Sequence, residues 1–164
     1  MIFAWDIESA VDYRQCLKLA GLAEGKQILE IGSWYGRSTI AMASTAQTVV
    51  AVDWHQGDFF VGEGIDTWAI FIDNIDRYGM KNIVAVRAKI EDAAPDLPGE
   101  FDGCFIDGDH TAEACRRDFS IAREKVKKGG WIAFHDYGLF GVTEVVDGIK
   151  GAKDYVGRMA VVWR

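Results

Sequence analysis

The chain has 164 residues, a formal net charge of −7, and 49% hydrophobic and 26% charged residues. That length suits one domain with its own core, here residues 1–164, and the composition is that of an ordinary globule. The acidic balance excludes nucleic acid and anionic membranes as main partners; no apolar run approaches the roughly 20 residues of a membrane span, and the opening MIFAWDIESA lacks the basic n-region of a secretory signal.

Cys16, Cys104 and Cys115 are odd in number and have no CxxC spacing, so neither a disulfide framework nor a structural zinc site is expected. Cys16 and Cys104 fall in apolar patterns and read as core thiols, and the cytoplasm is the expected compartment.

In chain order, residues 7–23 carry helix periodicity, with Ile7, Val11, Cys16, Leu17 and Leu19 among those able to share a face. Residues 27–40, QILEIGSWYGRSTI, organise the rest of the chain: a buried strand at 27–31, a tight turn at Gly32, and a helix opening near Gly36–Ser38 and running to about Ser44. The β-branched run at 48–52 reads as a second buried strand and ends in Asp53. Residues 54–64, WHQGDFFVGEG, read as a glycine- and aromatic-rich loop at the strand ends, either a lid or binding loop or packing under the next helix. A helix is expected over 65–78 with Gly79 as its stop, a strand over 83–86, and a short helix plus turn over 91–99. A fourth strand over 101–106 ends at Asp107, and a helix over 111–127 has a basic last turn with Gly129–Gly130 after it. A fifth strand over 131–134 ends in His135–Asp136; a helix over 142–149 and a strand over 158–163 complete the pattern.

Strands alternating with helices predict an α/β fold, a doubly wound, mostly parallel sheet with helices on both faces. The short connection at 151–155 would permit an antiparallel edge strand. In such sheets ligands bind outside the carboxyl ends of the strands. There the chain places Glu30, Asp53, Asp107 and Asp136, with Glu91 and Asp109 close behind. One acid at a strand end is an ordinary cap or turn residue. Four on one rim crowd together and call for a cation or a hydroxyl-rich ligand.

The turn discriminates among nucleotides. Gly32, Ser33, Trp34 and Gly36 frame a turn whose middle glycine, needed for pyrophosphate approach, is replaced by Trp34, and only Arg37 offers charge nearby. The turn therefore suits a ligand with ribose and adenine but no phosphates. Asp53 lies beyond Gly32 at about the spacing of a carboxylate that holds a ribose diol. S-adenosylmethionine, with its sulfonium, ammonium, ribose and adenine, meets these requirements.

Taken together, ILEIGSWYGRST, AVDWH, FIDGDHT and GGWIAFHDY resemble the class I S-adenosylmethionine-dependent methyltransferases. The likeness is to the small metal-dependent O-methyltransferases of the catechol and caffeoyl-CoA type and to a related group with the pattern IDGDH…GG…HD. It runs from about Ala23 to the end and implies a Rossmann-like methyltransferase fold. Carried over, it puts Glu30 and Gly32 around the methionine part of the cofactor and Ser38 near its carboxylate. It further puts Asp53 on the ribose, Trp54 on the adenine face, and Ile90 and Glu91 at the adenine edge.

In the metal-dependent members the ligands come from the ends of strands four and five, here Asp107, His135 and Asp136, with Asp107 also bordering the cofactor. The catechol-type pattern is Asp, Asp, Asn, so this chain departs at its second and third positions. An imidazole ligand moves the preference from Mg²⁺ towards Mn²⁺, Fe²⁺ or Zn²⁺. His135 is alternatively a base with no metal present. His110 falls where catechol-type enzymes place a catalytic lysine, and histidine is a better-poised base near neutral pH. The resemblance implies O-methylation of a small hydroxylated acceptor such as a sugar or phenol. The acceptor pocket would come from residues 54–64, residues 137–142 and the N-terminus, or from a partner subunit of a homo-oligomer. Two readings compete: an NAD- or metal-dependent oxidoreductase on the same fold, against which the missing glycine counts, and a cofactor-binding module without turnover.

Overall fold

The computed structural model describes residues 1–57 and 64–164. Most of the loop expected at 54–64, residues 58–63, lies outside the described residues. The remainder forms α1 (Tyr13–Ala23), β1 (Gln27–Ile31), α2 (Arg37–Ala43), β2 (Thr48–Asp53), α3 (Trp68–Arg77), β3 (Ile83–Arg87), α4 (Ile90–Ala93) with a 3₁₀ turn after it, β4 (Phe101–Ile106), α5 (Ala112–Lys125), β5 (Val126–Phe134), α6 (Phe140–Gly148), β6 (Lys153–Val156) and β7 (Met159–Trp163).

The seven strands form one sheet in the order β3-β2-β1-β4-β5-β7-β6. Every pairing from β3 to β5 along that order is parallel, and β7 pairs antiparallel with both β5 and β6. β1 lies between β2 and β4, so the chain winds outwards from it in both directions, and the crevice at its carboxyl end is the switch point where such sheets bind ligands. Side chains alternate across a strand. Leu29 and Ile31 join Val52, Ile106, Phe134, Cys115 and Val146 on one face. Ile28 joins Cys16, Leu19, Met42, Val49, Phe105 and Val161 on the other. The three cysteines are buried and free. Among the described residues, no helix is long and apolar enough to cross a membrane.

Three differences from the sequence-based expectation change how the elements meet. α1 begins at Tyr13 rather than residue 7, because Asp12 caps it. The Asp12 carboxylate accepts from Gln15 N–H at 2.9 Å, and the Gln15 side-chain oxygen accepts from Asp12 N–H at 2.8 Å. This reciprocal capping box fixes where the helix starts. Ile7 and Val11 are buried all the same, from an extended segment. Second, α5 passes into β5 without a loop, and Gly129–Gly130 lie inside the strand rather than after a helix. A Cβ on Gly130 would sit 2.6 Å from the Asp102 carbonyl oxygen, so the neighbouring chain passes too close for any side chain. Third, residues 151–155 are not merely a connection. They contribute to β6, which turns back through Gly157 into β7, so the antiparallel strand beside β5 is interior and β6 is the edge.

Candidate active site

The turn after β1 is pressed against the turn after β4. Gly32 has φ +84°, and a Cβ there would lie 2.2 Å from the Asp107 carbonyl oxygen. Only glycine allows the two strand ends to meet. Above this junction a cavity of about 620 Å³ opens, within the range of small-molecule sites. Its wall includes Gly32, Ser33, Trp34, Gly36, Ser38, Asp53, Trp54, Ile90, Glu91, Asp107, His110, His135 and Asp136. Glu30 is the one predicted site residue that does not line it.

Glu30 is fully buried, and Ser38 and Thr39 donate to its two oxygens at 2.6 and 2.5 Å. Burial pushes its carboxyl up to about 8, against the lowering effect of those two hydroxyls. It ties β1 to α2 from beneath the cavity. Asp53 also has structural work. Its Oδ2 accepts from the backbone N–H groups of Ser33 at 2.7 Å and Trp34 at 2.8 Å, and its Oδ1 from His55 N–H at 2.6 Å. These bonds hold Trp34 at φ +45°, a conformation costly for a non-glycine residue. A carboxylate has about four acceptor sites, so Asp53 retains capacity for a ligand hydroxyl. Trp54 is 48% exposed, which rules out a core role, and Lys89 Nζ lies 5.3 Å from its ring centre. Ile90, buried, opens α4, and Glu91 beside it lies 3.4 Å from Arg117.

At the other end, β4 and β5 deliver four side chains to one spot. His135 Nδ1 lies 3.2 Å from both Asp107 Oδ1 and Asp136 Oδ2. His110 Nε2 lies 2.7 Å from Asp136 Oδ2 and 3.9 Å from Asp107 Oδ1. Arg158, from the β6–β7 turn, reaches Asp136 Oδ1 at 2.7 Å. Burial opposes charge on His135, but Asp107 and Asp136 outweigh it and raise its pKa to about 10. Burial would raise Asp136 as well, yet His110 and His135 hold it far below the usual carboxylate range. Asp136 sits at φ +54°, a second strained residue on the cavity wall.

This donor set fits a divalent cation. One ligand atom each from Asp107, His110 and Asp136 falls within 4.8 Å of the others, so the converging triad contains His110 where His135 was expected; His135 Nδ1 adjoins the same two carboxylates from beside it. His135 Nδ1 is buried and lies between the two carboxylates, 3.2 Å from each. Mixed carboxylate and imidazole donors suit Mn²⁺, Fe²⁺ or Zn²⁺ better than Mg²⁺.

Sequence reasoning did not find Gln15, Arg158 or the work of Arg37. Gln15 is a buried polar residue on the apolar stripe of α1, a signal visible in principle; its Oε1 is 3.3 Å from His135 Nε2. Arg37 opens α2 and donates to the carbonyl oxygens of Trp5, Ile7, Ser9 and Val11. It straps Glu8, Ser9 and Ala10 across the cavity as a wall.

Residues 29–137 match the model of a family described as a methyltransferase domain. A stretch of 41 residues is 46% identical to uncharacterized protein R132 of Acanthamoeba polyphaga mimivirus. That stretch is 25% of this chain and only 19% of the viral protein, so the chain spans about a fifth of that relative's length. Among solved structures, cofactor-bound Rv0187 from MTB superposes with a TM-score of 0.75 at 22% identity, over 96% of this chain and 82% of that one. The O-methyltransferase TomG from Streptomyces achromogenes, involved in tomaymycin synthesis and solved in complex with SAM, gives a TM-score of 0.70 at 17% identity, over 96% of this chain and 81% of its own. At these identities the likeness is one of fold.

Proposed function

The chain belongs to the methyltransferase domain family, and from that premise we propose that it transfers a methyl group from S-adenosylmethionine to a hydroxyl of a small acceptor. The observation that carries this reading is the division of one cavity. A turn and carboxylate suited to a phosphate-free nucleoside lie at one end, and a dense acid–imidazole cluster lies at the other.

Asp53 accepts hydrogen bonds from the ribose, and Trp54 and Ile90 flank the adenine. Gly32, Ser33 and Ser38 border the methionine portion. Asp107, His135 and Asp136 would hold a divalent cation, Mn²⁺ or Mg²⁺. When bound, the cofactor supplies an electrophilic methyl and the cation lowers the pKa of the acceptor hydroxyl. His110 takes that hydroxyl's proton onto its ring, and Asp136 at 2.7 Å stabilises the resulting charge. The strap 8–10 and the cluster fix the acceptor against the cofactor, so proximity does much of the remaining work. The acidic chain favours a small molecule over nucleic acid as acceptor, and buried reduced cysteines suit a cytoplasmic enzyme.

Isothermal titration with S-adenosylmethionine and with NAD tests the cofactor; tight binding of the first and none of the second is expected. Methyl transfer to a panel of hydroxylated metabolites, run with chelator and then with Mn²⁺ or Mg²⁺ restored, tests the chemistry. Preference for NAD would overturn the reading, and full turnover in chelator would remove the cation from it.

A further inference from the structure

The two histidines at the cluster are not equivalent, and the difference originates in α1. Gln15 is 2% exposed and His135 3%, so each polar atom between them must be satisfied locally. The orientation of the Gln15 amide is set by its partners. Asp12 N–H donates to Oε1 at 2.8 Å, and Gln15 Nε2 donates to the Val156 carbonyl at 3.4 Å. A flipped amide would set an NH₂ against the Asp12 N–H and an oxygen against the Val156 oxygen. The atom 3.3 Å from His135 Nε2 is therefore the oxygen, which only accepts. His135 must then carry a proton on Nε2.

We propose that Gln15 is a positioning residue that fixes His135 with its proton on Nε2, so that Nδ1 is the atom the ring presents to Asp107 and Asp136. The Nε2 edge faces α1, away from the carboxylates, and is already a donor. His135 cannot take an acceptor's proton there. Its role is at Nδ1, as an ion ligand or as the charge partner of the two carboxylates, and the base is His110. A neutral imidazole binds a metal through one nitrogen, and which one is set by the hydrogen bond the other makes. Gln15 lies outside the family-matched segment 29–137, as do Val156, which helps orient it, and Arg158, which holds Asp136. The assignment of the base rests on the proposed methyl transfer; the assignment of the Nε2 proton does not.

The test uses full-length protein labelled with ¹⁵N-histidine, with His135 signals identified through His135→Asn. Long-range ¹H–¹⁵N spectra at pH 8, metal-free and with Mg²⁺, should show a protonated Nε2 in both states. Gln15→Met keeps the side-chain length and removes the acceptor; the Nε2 proton should lose its hydrogen-bonded shift and exchange faster with water, and Mn²⁺ affinity by titration should fall about 10-fold or more. Gln15→Glu keeps the acceptor and the helix cap but sets its second oxygen against the Val156 carbonyl, so it should restore both at a cost in thermal stability. An unprotonated Nε2 in the wild type overturns the proposal, as do His135 signals and Mn²⁺ affinity unchanged in Gln15→Met. Should Gln15→Met fail to fold, the wild-type and Gln15→Glu spectra decide. If the wild type binds neither ion, the cation is lost from the proposed function while the nitrogen signals still judge Gln15.

Discussion

Asp53 and Asp136 occupy the two ends of one cavity, and each ends a parallel strand, yet they are held by opposite means. Asp53 is surrounded by three backbone N–H donors that carry no titratable proton and cannot be mutated away singly. Asp136 is surrounded by His110, His135 and Arg158, all side chains, two of them able to change charge. In the proposed methyl transfer, backbone donors would give a fixed receptor for a ligand that is the same in every turnover. Side-chain donors give an environment whose charge responds to a proton or an ion, as acid–base chemistry demands.

The largest expected effect breaks the chemical end alone. His110→Ala should reduce turnover by about 10²–10⁴-fold, the usual worth of a general base. Affinity for S-adenosylmethionine should stay within about threefold. Comparable losses in both would show that the two ends are not separable. The opposite cut is Asp53→Asn. It replaces an acceptor oxygen with an NH₂ that confronts backbone N–H groups, so adenosine-based ligands should bind roughly 10–100-fold more weakly, from the loss of about 1.5–3 kcal/mol in charge-assisted hydrogen bonds. Thermal stability should drop as well, because the Ser33–Trp34 turn loses its anchor. Turnover at saturating cofactor should change little, and a collapse of that rate would sink the division of labour.

Glu30 sharpens the comparison, because it is an acid beneath the cavity with no cation beside it. Its carboxyl has a folded pKa of about 8, raised from 4.5. A raised pKa stabilises the fold fully below pH 4.5, and that stabilisation is lost as pH climbs through 8. Glu30→Gln is neutral at every pH and should flatten this slope. Denaturant melts should find the variant more stable than wild type at pH 9 by roughly 1–3 kcal/mol, with the advantage gone at pH 5. Parallel curves would mean that Glu30 is ionised throughout. The smallest effect belongs to Arg158→Ala. Arg158 is 57% exposed, so its pairing with Asp136 is solvent-screened, and turnover should fall only about two- to fivefold, less at high salt.

The central strands and the acids that end them were legible because fully buried parallel strands are continuous apolar runs, and the residue after the run must lie on the rim. Asp53, Asp107, His135 and Asp136 are placed by that alone. Glu30 shows how a finer rule could have corrected the expectation. It shares parity with Ile28, which packs towards α1 and α2, so period-two alternation turns it to Ser38 and Thr39 rather than upwards. Gln15 and Arg158 were not legible. Their approach to His135 and Asp136 depends on α1 beginning at Tyr13 and on a two-strand hairpin at 153–163, both settled by capping and pairing rather than by periodicity.

The insertion of β7 between β5 and β6 also bears on how the molecule is made. Trp131–Phe134 have no partner on one side until Met159–Trp163 have been synthesised. At about 5–20 residues per second, translation leaves that apolar edge open for roughly 1–6 s after His135 is added. An exposed strand edge is a template for pairing with another chain. The same interval leaves Asp136 without Arg158, and Gln15 without the Val156 carbonyl that orients it. During synthesis, the Gly32–Asp53 end of the cavity can form once β1, β2 and β4 are made, while the acid–imidazole cluster is complete only with the final hairpin. A nascent chain stalled before residue 158 is thus both the form most prone to aggregate and one whose acid–imidazole cluster is incomplete.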